Sequence, residues 1–371
     1  MKRNTLYAII ALVIIIGGVG GGAAYWYFFM QPAPPENPYQ VAIVFGLGGL
    51  GDLGFNDLTK DAADMAEADY NVNFTYSEPQ TLAEFQPLFE QYAAHVGYST
   101  PYDLIIGVGY EVFDSITAVA AAYPTQNFAV IDINWINHTE LPNIAALTFN
   151  EEQGAFLVGA LAGLRTTQDM VAFVGGKDEP LIHKFGAGYA FGANYTNPNI
   201  GVNSTHPGNL LFSYVGAWDD PTTGQSQAEL HYDAGADICF AAAGGSGIGV
   251  IDAAIAKNGT LAYDCWSIGV DKPQMYLGVP TGGTYSTMLT SMLKRVDTAV
   301  YKTILAASIW DNFTGGLLVF DLEDGGIGWE LNNDLLATPY KITTPEIDLM
   351  DDLATAVING TIIVPTDFAW L

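Results

Sequence analysis

The sequence predicts an α/β protein of two doubly wound, parallel-sheet lobes joined by a hinge, set behind an N-terminal transmembrane helix. Three observations predict it. Short apolar runs alternate with helical segments from Val41 to Thr148, the same rhythm restarts at Glu151 and continues to Val270, and Leu6–Met30 carries no charge over 25 residues. Alternating strand and helix signals give a parallel sheet covered on both faces, and an uncharged apolar run of this length spans a hydrocarbon core. With 371 residues, half of them hydrophobic, the chain can build two ordinary domains, each with a core of its own.

The N-terminal run ends in the aromatic stretch Tyr25-Trp26-Tyr27-Phe28-Phe29, and Lys2 and Arg3 set its start in the cytoplasm. A cleavable signal peptide is the competing reading, but its apolar stretch is usually only about 7–15 residues and no aromatic cluster follows it. An uncleaved anchor over residues 1–30 is therefore preferred. No Cys lies near it, so a lipid anchor on cysteine is excluded. Residues 31–38, Gln-Pro-Ala-Pro-Pro-Glu-Asn-Pro, form a stiff spacer. Everything beyond is expected outside the cytoplasm. The seven Asn-x-Ser/Thr sequons, at Asn73, Asn137, Asn194, Asn203, Asn258, Asn312 and Asn359, agree with a glycosylated outer face.

Twelve Lys and Arg stand against 40 Asp and Glu, and two of the twelve are Lys2 and Arg3. A folded part that acidic repels a phosphate backbone, which removes nucleic acid from the expected partners. The two cysteines, Cys239 and Cys265, fall at or beside strands of the second lobe, where a single bridge and two buried thiols are both open readings.

The first lobe's strands are read at Val41–Phe45, Val72–Tyr76, Asp103–Val108, Asn127–Asp132 and Ile144–Thr148. Between the first strand and a helix over Leu58–Ala68 lies Gly46-Leu-Gly-Gly-Leu-Gly-Asp-Leu-Gly-Phe-Asn-Asp57. Ligands collect in such turns, beyond the carboxyl ends of parallel strands. Phe55 offers a stacking surface there and Asn56 an amide. Gly46-x-Gly48-x-x-Gly51 also fits the dinucleotide fingerprint, but the acidic residue needed about 20 positions on is Glu78, some 30 positions away, so no cofactor is expected. Asp132 closes the fourth strand and is a further ligand candidate.

The second lobe's strands are read at Met170–Val174, Leu210–Val215, Ile238–Ala242 and Trp266–Val270, with helices over Glu151–Leu164, Leu181–Ala193, Ser226–Ala234 and Val250–Lys257. Gly244-Gly245-Ser-Gly247-Ile-Gly249 again joins a strand to a helix, and its amides, Gly245 among them, suit an anion or hydroxyl; a tight turn is the other reading. No Gly-Lys-Ser/Thr follows, so this is not a Walker loop. Asp271 follows a strand, where one carboxylate can accept two adjacent sugar hydroxyls. Lys294 is expected at the start of a helix over Leu293–Ser308. A helix cap and a surface charge are the plain alternatives for these two. Two lobes with ligand groups at their strand ends describe a cleft closed by hinge motion.

Ten pieces in order carry a family resemblance: Gly48–Asp57, Phe128–Asp132, Phe149–Gly159, Phe173–Gly176, Pro180–Phe185, Tyr214–Asp220, Ala243–Val250, Gly269–Asp271, Thr290–Asp297 and Asp324–Gly328. In them the chain resembles the basic-membrane-protein family, the purine nucleoside receptor-like solute-binding proteins of ABC importers, which have the type I periplasmic-binding-protein fold. The resemblance implies a base stacked between aromatics and a ribose held by an Asp and a Lys. Carried over by position, Phe55 is one stacking ring, Asn56 and Asp132 meet the base, and Asp271 and Lys294 hold the ribose. Phe240 and Trp218 are both candidates for the second ring. Two departures stand out: Lys272-Pro273-Gln274 replaces the family's Asp-Gln, and no lipidated Cys is present. The twofold rhythm and the resemblance together imply crossings between lobes near Thr148, over Tyr285–Thr290 and near Leu318. That gives a first lobe of 39–147 plus about 288–318 and a second of 148–287 plus about 319–371.

The implied function is capture of a nucleoside, purine first, by a membrane-anchored extracytoplasmic protein that hands it to the permease and ATPase subunits of an ABC importer. Catalysis is not expected, because the chain has no Gly-x-Ser-x-Gly, no His-Glu-x-x-His and only scattered His. The alternatives are a ligand-sensing or structural surface glycoprotein of the same fold and, further off, a secreted nucleoside-processing enzyme. That enzyme would need a calcium-binding Asp cluster near its first strand, which Asp52 and Asp57 alone do not make.

Overall fold

The computed structural model describes residues 38–96, 100–133, 139–201 and 208–369. The anchor expected over Leu6–Met30, the spacer as far as Asn37, and the sequons at Asn137 and Asn203 lie outside the described residues. Among the described residues no helix is long and apolar enough to cross a membrane.

The chain opens with β1 (Tyr39–Val44), α1 (Phe55–Asp69), β2 (Val72–Ser77), α2 (Phe85–Ala93), β3 (Leu104–Gly107), α3 (Phe113–Ala122), β4 (Phe128–Ile131) and β5 (Ile144–Phe149). It continues with α4 (Glu151–Arg165), β6 (Val171–Gly175), α5 (Pro180–Thr196), β7 (Leu210–Tyr214), α6 (Pro221–Asp233), β8 (Ile238–Ala242), α7 (Gly247–Lys257) and β9 (Trp266–Asp271). The last elements are β10 (Met288–Lys294), α8 (Val296–Ser308), β11 (Gly316–Phe320), β12 (Ile327–Trp329) and α9 (Thr344–Ile358). The central strands β3, β4, β5, β6 and β8 are buried at every residue, the pattern of a sheet covered on both faces.

These strands form two six-stranded sheets, ordered β11-β5-β4-β3-β1-β2 and β12-β10-β9-β8-β6-β7. Strands β1–β5 and β6–β10 thus repeat one arrangement, the doubly wound order 2-1-3-4-5. Every neighbouring pair is parallel except β10 with β12. The order reverses between β1 and β3 in the first sheet and between β6 and β8 in the second, and a crevice opens at such a switch point.

The chain crosses between the sheets three times. After β5 it enters α4, which packs on β10, β12 and α5. After β10 it enters α8, which packs on α1 of the first lobe, and after β11 it returns to β12. The second crossing therefore follows Lys294, later than the Tyr285–Thr290 expected, because Met288–Lys294 is a strand of the second sheet and not part of the first lobe. Thr290 and Ser291 break the apolar run there, and a short buried run does not declare strand or helix by its period. Lys294 accordingly ends a strand instead of starting a helix.

α4 and α5 approach backbone to backbone. A Cβ on Gly159 would meet the Tyr189 carbonyl oxygen at 2.1 Å, and one on Gly192 the Phe156 carbonyl oxygen at 2.0 Å, so only glycine allows this spacing. The close pair forms the wall of the second lobe from which Glu151 and Phe185 reach the interlobe space. Cys239 and Cys265 are both buried free thiols.

Candidate functional site

The switch points of the two sheets face each other, and the space between them is a cleft of about 680 Å³ including its open mouth. Volumes of this order hold small organic ligands. Its lining comes from the turns after β1 and β3 on one side and after β6, β7 and β8 on the other, closed at the back by the ends of β4, β9 and β10.

Of the eight residues expected at the site, seven line this cleft: Phe55, Asn56, Asp132, Trp218, Gly245, Asp271 and Lys294. Phe240 does not. It is a central β8 residue, fully buried between Phe173 and Tyr189, with ring centroids 5.6 and 5.3 Å away. The strand ends at Ala242, as read, and Phe240 lies two residues inside that end, within the sheet. Trp218, the other candidate for the second ring, does line the cleft, and so do two aromatics not singled out for that role, Tyr110 and Phe185, the latter in the first turns of α5. A signal for it exists in the sequence: Phe55 stands 11 residues after the end of β1 and Phe185 stands 10 after the end of β6, the equivalent strand. The rings of Phe55 and Phe185 flank the Lys294 ammonium, with centroids 5.1 and 5.7 Å from it.

The ammonium is the electrostatic centre of the site. Lys294 Nζ lies 2.6 Å from Asp132 Oδ1 and 3.1 Å from Glu151 Oε1, and Lys184 Nζ approaches the other Glu151 oxygen at 2.8 Å. Burial by itself would lower the Lys294 pKa, but Asp132, Glu151 and Asp271 outweigh it and raise the pKa. Burial would raise Glu151, yet the two ammoniums pull it below the usual carboxylate range. For Asp132 burial wins over Lys294 and leaves the carboxyl above its ordinary value. Glu151 was not foreseen. It is the first residue of α4, at the first crossing, and its pairing with Lys294 ties that crossing to the second.

Asp271 is different. It is 6% exposed, and among the described residues its carboxylate has no hydrogen-bond partner. Desolvation, and the nearby Asp52, Asp132 and Glu151 charges, raise its pKa to about 7 although Lys294 opposes them. Asp132 and Asp271 both adopt left-handed backbone, with φ of 68° and 70°. Non-glycine residues seldom do so, and such strain concentrates at functional sites.

Asn56 is committed to the loop. Its Oδ1 accepts from the Gly46 N–H at 3.0 Å and its Nδ2 donates to Asp52 Oδ2 at 3.1 Å. Asp52 in turn accepts from the amides of Gly54, Asn56 and Asp57 at the start of α1, as a carboxylate at a helix N-terminus does.

Trp218 closes the mouth. Its indole Nε1 donates to Glu111 Oε1 at 3.2 Å, across the cleft, and the Lys177 ammonium pairs with the same carboxylate oxygen and sits 5.3 Å from the indole ring. Gly176 makes room for it, since a Cβ there would lie 2.1 Å from the ring. Ser246 fixes the loop behind it by donating to the Ala217 carbonyl and receiving the Asp220 amide, each at 2.9 Å. On the other flank the segment that departs from the family pattern joins the lobes: Gln274 Nε2 donates to the Leu53 carbonyl at 2.8 Å, and Lys272 lies 3.2 Å from Asp61. These cross-cleft contacts hold the lobes in a closed arrangement.

The comparisons with known proteins agree with this geometry. The family model described as ABC transporter substrate-binding protein, PnrA-like, matches residues 39–366. An uncharacterised lipoprotein of Pyrococcus furiosus is 31% identical over 300 residues, covering 79% of this chain and 70% of the relative. The ABC transporter nucleoside-binding protein BmpA of Lactococcus lactis subsp. cremoris is 29% identical over 338 residues, covering 88% and 89%. Among solved structures, an ABC transporter solute-binding protein from Aeropyrum pernix K1 superposes with a TM-score of 0.75 at 27% identity, over 89% of this chain and 94% of that one.

Proposed function

The chain belongs to the family of PnrA-like ABC transporter substrate-binding proteins, and from that premise we propose that it captures a nucleoside, purine before pyrimidine, between its lobes. On this reading Leu6–Met30 anchors it in the membrane, the folded part faces outward, and the loaded protein delivers its ligand to the permease and ATPase of an ABC importer. It binds and releases, without catalysis.

The observation that carries the reading is the Asp271 carboxylate, which has no hydrogen-bond partner among the described residues and lines a cleft that also presents four aromatic side chains, Phe55, Tyr110, Phe185 and Trp218. A base stacks on Phe55 and Phe185, which supports binding by about 1–3 kcal/mol per aromatic. Two adjacent ribose hydroxyls donate to the two Asp271 oxygens, and each bond to a charged group adds roughly 1.5–3 kcal/mol. Lys294 has spent its charge on Asp132 and Glu151, and Lys177 on Glu111, so neither is left to neutralise an added phosphate. A nucleoside therefore fits and a nucleotide does not. The Lactococcus relative's name, nucleoside-binding protein, points the same way.

Mass spectrometry of small molecules released from the purified protein, followed by calorimetry with the compound found, tests the reading. A released nucleoside that rebinds, with its monophosphate at least a hundredfold weaker, is the expected result. Release of an amino acid, a peptide or a sugar without a base sinks it.

A further inference from the structure

Both edges of the first sheet carry an Asn-x-Thr sequon. β2 forms one edge, and Asn73 is its second residue, exposed, with Thr75 two places on. β11 forms the other, and Asn312, also exposed, stands four residues before it, with Thr314 between. These positions lie at the amino ends of parallel strands, opposite the carboxyl ends where the cleft opens. The β11 edge needs cover: Leu317, Leu318 and Val319 are 41%, 38% and 45% exposed, and the strand pairs on one side only, with β5. An uncharged apolar edge strand is a template for pairing with another copy of the chain, which proteins ordinarily block.

We propose that N-linked glycans on Asn73 and Asn312 guard the two edges of the first sheet, and that a third occupies Asn359, exposed after α9 with Thr361 following. The inference rests on the outward placement of the folded part proposed above. In the transfer, the side-chain Nδ2 forms a bond to C1 of the first sugar of a lipid-phosphate-linked oligosaccharide. The C1–oxygen bond to the phosphate breaks, the lipid phosphate leaves with the electron pair, and the amide gives up one of its two protons. A side chain that needs both protons for the fold cannot serve. Asn258 is such a case, because its Nδ2 donates to the carbonyls of Ala254 and Cys265 at 3.1 and 2.6 Å. Asn194 is half-buried and its Nδ2 is bonded to the Ile200 carbonyl, so it too is withheld. A glycan would thus sit where the chain is exposed and away from the cleft, leaving the ligand and the cleft rims free.

Glycopeptide mass spectrometry on the full chain, purified from the membranes of the cells that make it, reads each sequon. Digestion by protease added to intact cells reads the placement separately. The expected result is sugar on Asn73, Asn312 and Asn359, none on Asn194 or Asn258, and a chain the protease reaches. Bare Asn73 and Asn312 on an accessible chain overturn the proposal and leave the placement standing; an inaccessible chain overturns both. Sugar on Asn258 refutes the sorting. For the guarding role, Asn312→Gln and Thr314→Ala each remove the same glycan by different changes. Light scattering should find the associated fraction raised at least threefold in both, with ligand affinity within twofold of wild type. Two bare variants that associate no more than wild type overturn that role.

Discussion

Asp132 and Asp271 hold the same place in the two lobes. Each stands at the carboxyl end of the fourth strand of its sheet, with φ of 68° and 70°, yet the first is bonded to Lys294 at 2.6 Å and the second to nothing among the described residues. The duplicated framework supplies two strained carboxylates, and the single lysine at the end of β10 engages only one. The other lines the cleft without such a partner among the described residues.

Stability should record that asymmetry. The folded Asp271 pKa, about 7, lies above its unfolded value of 3.8. Between those values the folded chain keeps a proton that the unfolded chain has lost, so stability falls as pH rises through the window and levels off above about pH 7. Roughly three units correspond to about 4 kcal/mol. Urea unfolding of wild type and Asp271→Asn should show the variant gaining on wild type by up to that amount between pH 4.5 and 8. A constant difference would contradict the assignment.

Ligand binding should run the other way. Hydroxyls that donate to Asp271 favour its ionised form, so nucleoside affinity should rise with pH through about 7 and then flatten. Calorimetry at pH 7 in buffers of different ionisation enthalpy should detect a fraction of a proton released per ligand bound. Asp271→Asn should abolish that release and also the preference for a ribonucleoside over its free base.

Removing the lysine is expected to hurt the fold itself. Lys294→Met leaves Asp132 and Glu151 buried with less compensation, and breaking a buried pair on one side costs about 3–5 kcal/mol. Thermal unfolding should show a large drop, and adding Glu151→Gln to the same chain should recover part of it. An unaffected midpoint would mean the three groups are not coupled.

The aromatics should separate by role. Phe55→Ala and Phe185→Ala are each expected to weaken nucleoside binding by about five- to 150-fold, from about 1–3 kcal/mol of stacking. Phe240→Ala should instead lower stability by about 3–5 kcal/mol as a core cavity. Binding titrations beside denaturation curves distinguish the two outcomes.

The contacts at the mouth predict a kinetic effect. Glu111→Gln or Lys177→Met loosens the Trp218 closure without touching Asp271 or Phe55, so ligand should leave about tenfold faster while arriving at nearly the same rate. Stopped-flow on Trp fluorescence measures both. A slower release in either variant would argue against the closure.

Much of this was legible in the sequence because βα units announce themselves: the strands that begin at 39, 72, 144, 171, 210, 238 and 266 do so within two residues of where the pattern puts them. Asp132 and Asp271 were visible as acids at strand ends. Glu151 was not, since nothing local marks a buried glutamate in an Ala/Gly/Leu helix as the partner of a lysine 143 positions away. Phe240 misled because it lies two residues inside the end of its strand, where the side chain is core, whereas only Ala242 and the turn beyond it reach the cleft. The Glu111–Lys177–Trp218 group joins three separate turns and depends on how the lobes meet, which no single stretch encodes.

The triple crossing also bears on the order in which the chain is made. β5 waits for its outer neighbour until residue 320 has been synthesised, and the second sheet lacks β12 until after residue 329. Neither half can be completed from a contiguous stretch, so a nascent chain stopped at residue 149 exposes the flank of β5 that β11 later covers. The stretch from Gly316 to Trp329 therefore finishes both halves together.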